Sequence, residues 1–180
     1  MPKKVRCFRI IFLSLLFLLI VMGETNAQQK ADVNPVAYQA FISGTSMLIT
    51  IPAGFVALAD SSGYLHPGSS SSIMIKDMPG SSYEKVVEAL QNGQLQKYGN
   101  AVVGSEHVTT TEGKNGIIFT LTFTAKSKDG KQDVPFERML FLTGDMNHTL
   151  WITANYPAVI KKYIAEELRE CMLSVKTKTE

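Results

Sequence analysis

Ile117-Ile118-Phe119-Thr120-Leu121-Thr122-Phe123-Thr124-Ala125-Lys126 decides the fold. Phe119, Leu121 and Phe123 alternate with Thr120, Thr122 and Thr124, the period of two that sends successive side chains to opposite faces of a strand. Gly113-Lys114-Asn115-Gly116 precedes it as a turn, so residues 106–111 are expected to pair back on it as a hairpin. Ser127-Lys128-Asp129-Gly130-Lys131 and Gly144-Asp145-Met146-Asn147-His148 mark two further turns, ahead of strand-like runs at residues 134–143 and 149–155. The reading is an antiparallel meander of four strands.

Alternation fails at the centre of these strands. Ile118, Met139, Phe141 and Trp151 fall on the faces opposite their apolar neighbours Phe119, Leu140, Leu142 and Ile152. A sheet wetted on one side alternates cleanly, so both faces are expected to be covered by helices. Two helices are available. Ser81 and Glu84 have capping-box spacing, and Tyr83, Val86, Val87 and Leu90 recur at helical offsets, with Gly93 weakening or ending the run and Leu95 and Tyr98 able to extend its face. After Pro157, a tolerated first-turn residue, Ile160, Tyr163, Ile164, Leu168, Cys171, Met172 and Val175 form a second apolar stripe. Lys161, Lys162, Glu166, Glu167, Arg169 and Glu170 read as its solvated face. The fold class is therefore α+β, an antiparallel sheet flanked by helices on both faces, an α/β/α sandwich.

Upstream, residues 47–51 read as a strand ended by Pro52-Ala53-Gly54, with residues 55–59 a possible continuation, and residues 72–76 as a short strand closed by Met78-Pro79-Gly80. Residues 60–71 between them, with Gly63, Pro67, Gly68 and a serine run, read as a long loop.

The N-terminus carries an address. Lys3, Lys4, Arg6 and Arg9 precede a 13-residue apolar run, Ile10 to Met22, broken by Ser14, and Thr25-Asn26-Ala27 follows. A membrane-spanning helix needs about 20 apolar residues, so this pattern reads as a secretory signal peptide cut after Ala27. Residues 1–27 are then the signal, 28–45 a loose lead-in, 46–176 a single domain and 177–180 a tail. The expected location is periplasmic or secreted. No Cys follows the apolar run to take a lipid, so no stable membrane anchor is expected after cleavage. Cys171 is the one Cys beyond the signal, so no internal disulfide is expected in the mature chain. The +2 net charge belongs to the precursor; residues 28–180 hold 14 basic and 15 acidic residues, which gives no basic excess for nucleic acid.

The order of elements resembles the Mog1/PsbP-like fold, which includes a large family of bacterial periplasmic proteins and the DcrB-like proteins. The resemblance covers most of residues 46–176. It rests on Ile49-Thr50-Ile51-Pro52 with Gly54-Phe55 after it, on residues 73–76 and on Ser81-Ser82-Tyr83-Glu84. The strands of residues 117–154 and the closing segment from Tyr156-Pro157 to Ser174-Val175-Lys176 complete it. The resemblance implies a non-enzymatic adaptor or accessory factor, and no binding residue transfers with it.

No phosphate-cradling glycine loop, nucleophile elbow, His-Glu-x-x-His helix or Cys-x-x-Cys pair occurs, so no catalytic residue is assigned and no cofactor is expected. His66, His107 and His148 lack ligand spacing, so no metal is expected. Ser69 to Ser72 have no identifiable base and read as flexible loop. Trp151 reads as core before interface, Cys171 as inert packing, and Asn147-His148-Thr149 as a glycosylation acceptor in a host able to use it. A loop of more than about 12 residues is uncommon unless it binds something or is disordered. Asp60, Tyr64, Leu65 and His66 in residues 60–71 are accordingly the candidate binding residues. The expected function is a non-catalytic binding or accessory role with a protein partner in the cell envelope. A small-ligand or lipid carrier, or an envelope hydrolase assembled only in three dimensions, are the alternatives. The sequence leaves oligomeric state open.

Overall fold

In a computed structural model that describes residues 34–127 and 130–178, the alternating stretch lies within strand β7 (Asn115–Lys126) of a seven-stranded antiparallel sheet. The predicted signal segment lies outside the described residues. Strand β6 (Ala101–Thr109), β7, β8 (Asp133–Gly144) and β9 (His148–Pro157) form the expected meander. β5 (Ser71–Pro79) pairs with β9, and β4 (Gly63–His66) and β3 (Val56–Ala57) extend the sheet beyond it. Residues 60–71 are thus no continuous loop: their middle is strand β4, which shares four Cα pairings with β5.

Both faces are covered, as the broken alternation requires. On one face Ile118, Met139, Phe141, Ile152 and Ala154 pack with Ile164, Leu168, Cys171 and Met172 of helix α2 (Lys161–Leu173). β1 (Tyr38–Phe41), β2 (Met47–Ile51) and β10 (Lys176–Thr177) form a small second sheet over the same cluster, to which Ile42, Ile49 and Ile51 contribute. The lead-in, expected loose, therefore holds strand β1, and β10 reaches the first residue of the tail. Tyr163, expected in the apolar stripe of α2, is 69% exposed.

Ile117, Phe119, Leu121, Leu140 and Leu142 line the other face, packed by Leu90 and Leu95 with Tyr83, Val86 and Val87. These belong to helix α1 (Tyr83–Ala89) and the short π and 3-10 turns after it, Leu90–Gln94 and Leu95–Lys97. Gly93, at φ 101°, adopts a backbone conformation closed to most side chains and breaks the run. The predicted Ser81 cap is not the one used. Ser82 is the N-cap, without a side-chain bond, because the Tyr83 N–H donates to the Asp145 carbonyl and the Thr149 hydroxyl donates to the Ser81 carbonyl. Neighbouring strand ends supply what a capping box would.

One acid is buried beneath α2. Glu137 accepts from the Tyr156 hydroxyl at 2.9 Å and from Lys161 Nζ at 3.0 Å. Glu137→Ala leaves that phenol without its acceptor in a buried place, and a loss of about 1–3 kcal/mol is expected in urea unfolding. An unchanged midpoint would show the triad contributes nothing.

Candidate functional site

The cover supplied by α1 and its short turns stops before the sheet does. Along β9 the side chains facing α2, Ile152, Ala154 and Tyr156, are buried, whereas Trp151, Thr153 and Asn155 on the opposite face are only partly so. A groove of about 500 Å³ opens there, lined by Ser62, Met74, Ile75, Lys76, Tyr98, Arg138, Trp151, Thr153 and Asn155. Strand register explains the grouping. Lys76 pairs with Trp151, Met74 with Thr153, and Asn155 with both Ser72 and Arg138, and directly paired residues point to one face.

The aromatic wall is made where the helical cover ends. The Tyr98 and Trp151 rings lie 5.1 Å apart at 56°, and Trp151 Nε1 donates to the Thr153 hydroxyl at 2.9 Å. That bond satisfies the indole N–H inside the protein and leaves its rings as apolar surface. Arg138 stands beside them. Its Nε donates to Asn155 Oδ1 at 2.6 Å, its Nη1 to the Tyr98 carbonyl, and the guanidinium sits 4.5 Å from the Phe123 ring centroid. Asn155 Nδ2 in turn donates to the Ser72 hydroxyl at 3.0 Å. Partial burial pulls Arg138 below its ordinary pKa, yet a guanidinium remains charged in any folded protein. Among the described residues no carboxylate pairs with it, and no acid lines the groove.

The four residues predicted as a contact surface divide. Asp60 is turned on its own loop, accepting from the Ser62 N–H at 3.0 Å and hydroxyl at 2.6 Å, and those bonds hold its carboxyl below the usual range. Tyr64 packs against the α2-side core, where burial raises its phenol, and His66 meets Phe55 edge-on at 5.3 Å and accepts from the Ser69 N–H. Leu65 points the other way. It pairs with Ser72, which pairs with Asn155, so Leu65 stands in the same cross-strand row as Arg138. Of the three histidines, His148 pairs with Asp77 and His107 is exposed on β6. Among the described residues no group of three or more His, Cys, Asp and Glu is placed to hold a metal ion. None of their helices is long and apolar enough to cross a membrane.

Arg138, Lys76, Thr153 and Asn155 were not candidate site residues from the sequence, and Trp151 was read as core before interface. A signal was present. Arg138 is in phase with Leu140 and Leu142, and Thr153 and Asn155 with Trp151, so polar groups interrupt a face that is elsewhere apolar.

Fold and groove together define an α+β sandwich open on one side of its sheet. Comparison of structures places a protein of Bacteroides thetaiotaomicron VPI-5482 at a TM-score of 0.52 and 15% identity; the match covers 78% of this chain, which spans 48% of that one. PsbP (CyanoP) of Synechocystis sp. PCC 6803 matches at 0.49 and 7% identity, over 88% of this chain and 99% of that one. A single-residue variant of Mog1 matches at 0.49 and 13%, over 78% and 95%. PsbP and Mog1 are the two names in the resemblance read from the sequence. No family model matches the chain, and no curated protein does.

Proposed function

We propose that the protein is a non-catalytic binding or accessory module of the cell envelope, exported through residues 1–27, and that the groove is its ligand surface. The observation that carries this reading is the construction of the groove wall. Two aromatic rings in tilted contact and an arginine held by Asn155, the Tyr98 carbonyl and Phe123 converge on one concavity. Binding sites for small molecules run to roughly 300–1,000 Å³, with apolar walls and a few fixed polar groups, and this groove has that make-up. A wall whose rotamers are already fixed loses little freedom on binding.

Thr153→Phe puts a ring into the groove, on the face that Thr153 shares with Leu140, and removes the acceptor of the Trp151 N–H. Native mass spectrometry of the protein recovered from its own cells is expected to show a bound species that this variant lacks. Retention of that species by the filled variant would refute the groove. Fractionation tests the location separately, and a protein confined to the cytoplasm would refute the envelope role.

A further inference from the structure

We infer that the groove receives a small organic anion, with a carboxylate head on Arg138 and an apolar body against Tyr98, Trp151 and Met74. This rests on the groove being the ligand surface and adds the chemistry of what it takes. Charge complementarity is the first ground. Arg138 and Lys76 are the charged side chains of the lining, both cationic, and no acid answers them. A partly buried cation without an anion has lost water and gained no counter-charge, a debit that an incoming carboxylate removes. Donor geometry is the second ground. Arg138 Nε and Nη1 are engaged by Asn155 and the Tyr98 carbonyl, which fixes the fork, while Nη2 bonds to nothing among the described residues. A donor held in place on a charged guanidinium is better aimed at a carboxylate oxygen than a mobile ammonium is. The third ground is the body. Trp151 has its N–H satisfied by Thr153, so the rings beside Arg138 offer surface and no competing donor. Lys76, exposed and paired across the strands with Trp151, adds attraction at the rim.

The chain has one tryptophan, so its emission reports on the groove itself. The full chain is titrated with phenylacetate, with its neutral isostere phenylacetamide, with octanoate and with inorganic phosphate. Phenylacetate and octanoate are expected to give saturable shifts, the amide to bind roughly tenfold or more weakly, and inorganic phosphate to bind weakest for want of a body. Arg138→Gln is expected to remove the preference for acid over amide. Because Arg138 also braces Tyr98, Lys76→Glu is the second variant: it changes an exposed side chain, keeps the fold, and is expected to weaken phenylacetate several-fold at low salt while sparing the amide. Equal binding of acid and amide, or wild-type acid binding by both variants, overturns the inference, as does no saturable response to either acid. Inorganic phosphate binding as tightly as phenylacetate overturns the role of the apolar body. If acid and amide bind equally and Thr153→Phe abolishes both, the groove stands and the anion falls; if Thr153→Phe spares both, the groove itself is wrong.

Discussion

Phe141→Ala is expected to lose about 3–5 kcal/mol of stability, the range for truncating a buried phenylalanine. Phe141 is fully buried on β8 and faces Ile118 across the β7–β8 pairing, in the cluster that joins the sheet to α2. The space its ring fills is made by an absence. A Cβ on Gly116 would come within 2.6 Å of Phe141 Cε2, so the ring lies where a neighbouring side chain would otherwise stand. Removing the ring leaves a void between rigid strands, and rigid surroundings collapse least into a void. A domain of this size has about 5–15 kcal/mol in all, so the variant should unfold at a far lower urea concentration. Gly116→Ala gives an internal control. Alone it presses on the ring and on the Leu142 carbonyl oxygen, 2.9 Å from the added methyl, and is expected to destabilise; Phe141→Ala relieves the first clash and leaves the second, so the two effects should fall short of additive. A loss below about 1 kcal/mol for Phe141→Ala would mean that the site relaxes and that the ring is no keystone of the sheet.

The part of the fold legible in the sequence is the part determined by local chemistry. Glycine-rich turns at residues 113–116, 127–131 and 144–148 fixed the meander, and apolar residues on both strand faces announced two covers. β2 begins and ends as read, at Met47 and Ile51. What escaped depends on partners distant in the chain. β4 is four residues long between turn-rich segments, and its strand character comes from pairing with β5. Ser81 loses its capping role to groups from residues 145 and 149. The site was hidden for a related reason. Arg138, Thr153 and Asn155 sit on strands whose pattern reads as core, and only the early end of the α1 layer turns their stretch of the sheet into a groove wall. Leu65, chosen as part of a loop, reaches that face through strand register.

Raising the pH above about 9 is expected to destabilise the protein steeply, chiefly through Cys171. Its thiol is 3% exposed among the apolar residues that α2 packs on the sheet, and burial pushes it from an ordinary 9.0 up to about 12. The folded pKa lies above the unfolded one, so between pH 9 and 12 the unfolded chain gives up a proton that the native chain keeps. The unfolded state then binds fewer protons, stability falls as pH rises, and below pH 9 the contribution is fully present. Three pH units at about 1.4 kcal/mol each amount to about 4 kcal/mol, a large share of a domain's stability. Tyr156 acts in the same direction from pH 10 upward, since burial first and the Glu137 contact second raise its phenol. The two separate by variant. Cys171→Ala forms a small cavity and begins less stable, yet its urea midpoint should hold flat between pH 8 and pH 10 where the native chain already declines. Parallel slopes for the two proteins would remove Cys171 as the titrating group. The same burial forecasts the thiol's chemistry: a group kept protonated and covered reacts with a thiol reagent only as fast as the α2 layer opens, so its labelling rate should follow global unfolding.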